Sequence, residues 1–276
     1  MPVSKGITLE QGFVNVKGCK LYYEVEGNGA PLVLIHAGFL DSRMWDEQFR
    51  IFAKHNKVIR YDVRGFGRSS RPKEEYSDAE DLFSLLNHLK IPKATILGIS
   101  NGGRIAFDFT STHPDMVTSL LLVAPGIRGY EGSPEEDKAW DETGKLMDAQ
   151  DLAIKENRID DAVRMDLEIW APAQDEKNRT RLLQIATENS HIHKDPPNRL
   201  QKSPQPPAFK SLGTIRMPVA LLVGDRDVRG MQMMTKKLHS LLPGSKFTLV
   251  EGADHIANTS KPDEFNRAVL DFLSST

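Results

Sequence analysis

Short, unbroken apolar runs recur along this chain, separated by helix-forming segments. Pro31-Leu32-Val33-Leu34-Ile35-His36 is the first, and runs at Lys57 to Asp62, Lys93 to Gly98, Val117 to Ala124, Pro218 to Val223 and Lys246 to Val250 follow. Runs of this length and continuity suit strands covered on both faces, as in a parallel sheet. The intervening segments near Trp45 to Ala53 and at Asp78 to Leu89, Gly103 to Thr112, Met231 to Leu242 and Pro262 to Leu273 have helical character. Strands alternating with helices imply right-handed crossovers and a doubly wound sheet, so an α/β fold is expected. Two amino-terminal segments, Gln11 to Val16 and Lys20 to Val25, flank a Lys17-Gly18 turn and read as a hairpin, which brings the sheet to about eight strands.

The rhythm stops at Pro125-Gly126. From Ile127 to Leu212 the chain is charged, helix-favouring and short of β-branched runs. This predicts a helical insertion, residues 127–212, within a core made of residues 1–126 and 213–276. Apolar residues at Ala162, Met165, Leu167 and Trp170, then at Leu182, Leu183, Ile185 and Ala186, suit amphipathic helices that cover another surface. The insertion ends in a proline-rich stretch, Pro196-Pro197 through Pro206-Pro207, expected to be an extended, stiff return path.

Composition narrows the function. Among 276 residues, 36 basic and 38 acidic side chains are interspersed for a formal net charge of −2, with no basic block to neutralise phosphates. Nucleic acid is therefore an unpromising partner. No apolar run approaches the roughly 20 residues of a membrane span, and Met1 to Gly6 lacks the apolar centre of a signal peptide. A soluble, cytoplasmic protein is expected. The single cysteine, Cys19, fits a reducing compartment and reads as a small strand residue. No paired-cysteine or His-Glu-x-x-His spacing suggests a metal or a cofactor.

Gly98-Ile99-Ser100-Asn101-Gly102 stands between a predicted strand and a predicted helix. A serine in such a strand-turn-helix elbow sits on a sharp, strained turn that holds its hydroxyl clear of the backbone. A hydroxyl is a poor nucleophile at neutral pH and needs a base, itself oriented by a third group. Parallel sheets collect functional groups at the carboxyl ends of their strands, which directs attention to Gly224-Asp225-Arg226-Asp227 and to Glu251-Gly252-Ala253-Asp254-His255. His255 is the expected base. Either Asp225 or Asp227 suits the acid by spacing, and Asp254 reads as a turn former. His36 ends a strand at the same edge and reads as loop support. His55, His88, His113, His191, His193 and His239 are assigned to surface or packing roles. A carbonyl under attack also needs N–H donors for its oxygen. The backbone N–H of Asn101 is one candidate, and the loop His36-Ala37-Gly38-Phe39 is the source of the other.

Taken together, these motifs resemble the α/β-hydrolase superfamily over nearly the whole chain. His36-Ala37-Gly38-Phe39 through Met44-Trp45 looks like its oxyanion loop, and Asp62-Val63-Arg64-Gly65-Phe66-Gly67-Arg68-Ser69 looks like the turn after the next strand. The serine elbow, acid loop and terminal histidine follow in order. The resemblance implies a nucleophile at Ser100, an acid at Asp227, a base at His255, oxyanion donors at Gly38 and Asn101, no cofactor or metal, and a lid at 127–212. It makes Asp62 and Arg64 structural. Two departures are Ala37, where the family usually has glycine, and Asn101, where an apolar or aromatic residue is commoner.

Serine at position 100 argues against the haloalkane dehalogenase and epoxide hydrolase branches, which carry aspartate there. The chain looks most like the small carboxylesterases and enol-lactone hydrolases, which implies a small-molecule ester or lactone as substrate. Carbon-carbon bond hydrolases and noncatalytic receptors of the same fold are the alternatives. Trp140, Met147, Met165 and Trp170 could furnish an apolar acyl pocket, although such a stripe is more often the core of a lid.

Overall fold

The computed structural model describes residues 9–276, the side chain of Glu142 excepted; Met1 to Gly6 lie outside the described residues. Eight strands form one sheet in the order β1-β2-β4-β3-β5-β6-β7-β8. β1 (Glu10–Val16) and β2 (Cys19–Glu26) make the expected antiparallel hairpin, and β2 pairs antiparallel with β4 (Lys57–Tyr61). From β4 onward the sheet is parallel, through β3 (Pro31–Ile35), β5 (Ala94–Ile99), β6 (Val117–Val123), β7 (Val219–Gly224) and β8 (Lys246–Val250).

The unbroken apolar strands of the sheet interior are explained by helices on both faces; β8 departs from that expectation, because it is the edge strand and leaves Leu249 exposed. Val33, Ile35, Ile96, Leu120 and Leu122 point to one side, where α2 (Asp78–His88), α3 (Asn101–Thr112) and α7 (Arg229–Leu241) cover them. Leu32, Leu34, Leu97, Leu121 and Leu222 point to the other, towards α1 (Asp46–Phe52) and the carboxyl-terminal α9 (Pro262–Leu273). Side chains alternate across a strand, so every second residue joins the same layer. Each fully buried Leu, Ile or Val stabilises the layer by about 1.5–3 kcal/mol.

The chain between β6 and β7 holds three helices, α4 (Pro134–Lys155), α5 (Ile159–Trp170) and α6 (Glu176–Glu188). Ala162, Leu167, Leu182, Ile185 and Ala186 are buried, as their spacing predicts. The proline-rich stretch differs from expectation. Pro197–Leu200 winds into a 3-10 turn, and a lone bridge pairs Gln201 with Tyr76. Proline at the start of such a turn lacks only an N–H that would have had no partner there, so a turn is as accessible as an extended path. One short helix, α8 (Ala257–Ser260), follows the terminal-histidine loop. Among the described residues no helix is long and apolar enough to cross a membrane.

Candidate active site

Ser100 is the hinge between β5 and α3, at φ 55° and ψ −113°. A non-glycine residue there is strained by about 1–3 kcal/mol, and the surroundings hold it fixed. Its N–H donates to Val123 O at 2.9 Å, while its own carbonyl accepts from Arg104 N and Gly126 N at 3.0 Å each. The flanking glycines are there for space. A β-carbon on Gly102 would lie 2.3 Å from the carbonyl oxygen of Ile35, and one on Gly98 would lie 2.3 Å from the backbone of Gly102. α3 is thus seated directly against β3 and β5.

Gly38, past the end of β3, lies beside the elbow, since a β-carbon there would come within 3.4 Å of the Asn101 β-carbon. The Asn101 N–H belongs to the first helical turn, where backbone donors have no partner within the helix. Ala37 is fully buried, and its N–H donates to Met44 Sδ at 3.3 Å. His36 supports the loop as expected: its Nδ1 bonds Ala37 O at 2.8 Å, and its Nε2 accepts from Val63 N at 2.9 Å.

The acid loop and the histidine loop meet at a close backbone approach. A β-carbon on Gly224 would overlap the carbonyl oxygen of Ala253, and Arg226 N donates to that oxygen at 2.9 Å. His255 Nδ1 then lies 3.0 and 2.9 Å from the two carboxylate oxygens of Asp227. Both side chains are buried, and Val228 N donates to Asp227 Oδ1 at 2.7 Å. Asp225 turns the other way: it is exposed and accepts from Gly252 N at 2.6 Å. The carboxylate partner holds the proton on Nδ1, which leaves Nε2 as the basic nitrogen.

Ser100, His255, Gly38 and Asn101 line one cavity of about 540 Å³. No hydrogen bond joins the side chains of Ser100 and His255; in sites of this kind such bonds often tighten only in the substrate complex. Asp62 and Arg64 lie outside this cavity and are structural. Asp62 accepts from Ser42 N and Arg68 N at 3.0 and 2.8 Å, and burial raises its carboxyl above the ordinary range. Arg64 makes a two-pronged pair with Asp81 at 2.7 and 2.6 Å.

One wall of the cavity is polar. Arg104 Nε donates to Asn101 Oδ1 at 2.8 Å, so the unusual asparagine after the serine anchors this arginine. Arg104 also pairs with Asp78 and Asp108, at 2.5 and 2.8 Å. Burial alone would lower the Arg104 guanidinium, but the two carboxylates hold it above its ordinary value. Arg128 pairs with Asp108 at 3.1 Å, and Gln201 bonds both Arg128 and Asp78. Each cation is therefore matched by a buried anion.

Several contributions from the insertion were not legible in the sequence. His193 is not a surface group, since it lines the cavity and pairs with the buried Asp166. Asp254 does more than form a turn: it accepts from Ala173 N at 2.9 Å and from Gln174 Nε2 at 2.9 Å. Burial is the main reason its carboxyl is raised. Of the four large apolar residues singled out, Trp170 lines the cavity, its ring 4.7 Å from that of His255. Trp140, Met147 and Met165 pack between the insertion and the sheet, against Val223, Val228 and Met231.

Residues 30–262 match the family model for the α/β hydrolase fold. A 2-hydroxy-6-oxo-6-(2'-aminophenyl)hexa-2,4-dienoic acid hydrolase from Metapseudomonas resinovorans is 28% identical, over 95% of this chain and 90% of that protein. Among solved structures, the enol-lactonase from Burkholderia xenovorans LB400 superposes with a TM-score of 0.78 at 23% identity, covering 95% of this chain and all (100%) of that one. The esterase RhEst1 from Rhodococcus sp. ECU1013 gives 0.77 at 24% identity, covering 97% and 98% of the two chains. With its eight-stranded sheet, serine elbow and paired loops, the chain belongs to the α/β hydrolase fold family.

Proposed function

We propose that this protein is a cytoplasmic serine hydrolase that cleaves a small, neutral carboxylic ester or lactone through an acyl-enzyme. Ser100 Oγ attacks the carbonyl while His255 Nε2 takes its proton, and Asp227 holds the imidazole by Nδ1–H and stabilises the imidazolium that forms. The backbone N–H groups of Gly38 and Asn101 take the developing oxyanion, each contributing about 3 kcal/mol. His255 returns the proton to the departing alcohol, then activates the water that releases the acid. Residues 127–212 act as the lid over the core of residues 1–126 and 213–276.

The observation that carries this reading is one constellation: a strained serine and a histidine held on a buried carboxylate share a cavity with Gly38 and Asn101. Support for a neutral substrate comes from the polar wall, where Arg104 and Arg128 already rest on Asp78 and Asp108. The dienoic acid hydrolase relative suggests carbon-carbon bond cleavage, but a carboxylate substrate would find no uncompensated cation there.

Hydrolysis of p-nitrophenyl acetate and butyrate, by the native protein and by Ser100→Ala, tests the reading. Turnover that falls by at least about 10³-fold in the variant is expected. Equal, background rates for both proteins overturn it and favour a noncatalytic binding role.

A further inference from the structure

The insertion carries a second imidazole–carboxylate pair into the same cavity, and we propose that this pair selects the substrate. His193, backed by Asp166, accepts a hydrogen bond from a hydroxyl or amide N–H that the substrate bears away from its scissile carbonyl. The inference rests on the ester-hydrolase reading and narrows its substrate class to hydroxy- or acylamino-substituted neutral esters and lactones.

His193 and Asp166 line the cavity together with Ser100 and His255. His193 Nε2 lies 2.8 Å from Asp166 Oδ2, with the two side chains 10% and 7% exposed. The second oxygen of Asp166 accepts from Gln150 Nε2 at 2.7 Å. Gln150 belongs to α4, Asp166 to α5, and His193 to the 3-10 turn Ser190–His193 after α6, so three separate pieces of the insertion fix the pair.

An imidazole whose Nε2 faces a carboxylate keeps its proton there and its lone pair on Nδ1. Nδ1 of His193 makes no hydrogen bond to any described residue. The His193 side chain keeps 10% of its surface open and lines the cavity, which is where a partner for Nδ1 can reach it. The arrangement reverses that of His255, which gives Nδ1 to its aspartate and keeps Nε2 for the cavity. One imidazole comes from the sheet and the other from the insertion, so a substrate held between them meets an acceptor at a second point.

Two substitutions separate recognition from support. His193→Gln keeps an amide near the Nε2 position, against Asp166, and removes the cavity-facing group. His193→Asn keeps an amide near the Nδ1 position and releases Asp166. The readout is the ratio of kcat/KM for p-nitrophenyl 2-hydroxy- and 3-hydroxybutyrate to that for p-nitrophenyl butyrate. For the better of the two hydroxy esters, that ratio is expected to fall about 10-fold in His193→Gln and to be retained at least in part in His193→Asn. Equilibrium binding of the corresponding amides reads the same preference without turnover. If the esters are not hydrolysed, the ester reading fails while the binding ratio still decides the role of His193. Ratios unchanged in both variants, or lost in His193→Asn and kept in His193→Gln, overturn the proposal.

Discussion

The two halves of the cavity are held in place by different physics. The half contributed by the sheet is positioned by backbone: strand ends, an elbow at positive φ, and glycines that let β3, β5, β7 and the histidine loop approach within van der Waals limits. The half contributed by the insertion is positioned chiefly by side chains reaching across long stretches of sequence, the backbone bridge between Gln201 and Tyr76 being the exception. Asn189 bonds Gly67 N and Asp41, Asn178 bonds Thr259 O, and Gln201 joins Arg128 to Asp78. Backbone placement leaves little room for adjustment, because a displaced strand moves every residue in register with it. Side-chain placement can be rewritten one contact at a time. A fixed chemical centre facing an adjustable wall is the arrangement that lets one fold serve many substrates.

The comparison breaks first at the acid. Asp227 and Asp225 are two residues apart, yet only Asp227 meets His255. Asp227→Asn is expected to lower kcat by about 10³-fold or more, and Asp225→Asn by less than about 3-fold, in steady-state assays with the same ester. The reverse ranking would move the acid to Asp225. The next test is the backbone itself. Gly102→Ala forces a β-carbon towards the Ile35 carbonyl, and a loss of about 3 kcal/mol in urea unfolding is expected. An unchanged midpoint would show that the elbow can shift, and would remove the contrast between rigid and adjustable halves.

The smallest effect lies where the halves meet, at Asp254. Burial raises its carboxyl above the ordinary value of 3.8, so the folded protein binds that proton more tightly than the unfolded chain. Its share of stability is therefore present in acid and declines as pH rises from 3.8 through the raised folded value. Asp254→Asn should flatten that part of the stability-pH curve, measured by urea unfolding across the acid range. A curve that keeps its slope would mean the carboxylate is already ionised on its Ala173 and Gln174 donors.

The same division explains what could be read from the sequence. Gly38 and Ser100 follow the buried strands β3 and β5 within a few residues, and His255 follows the edge strand β8, so the alternation that predicts the sheet also predicts their edge. Local order could not separate Asp227 from Asp225, because the choice is made by Arg226 N bonding Ala253 O across the loops. His193, Asp166, Gln201 and Asp254 left no signal of their own. Their pairings span distances set by how helices pack, and a charged residue in an amphipathic segment looks the same whether it meets solvent or a cavity. Only Trp170, of the apolar stripe, turned inward to His255, while Trp140 packs on Gly230 and the sheet side.

The indole of Trp170 beside the His255 ring gives the protein an optical signal tied to its own chemistry. Imidazolium quenches a neighbouring indole more strongly than neutral imidazole does. Emission from Trp170, isolated by replacing Trp45 and Trp140 with phenylalanine, would therefore follow the proton on His255. It would also follow any separation of α5 from the histidine loop. A single chromophore would thus report both the charge state of His255 and its distance from α5.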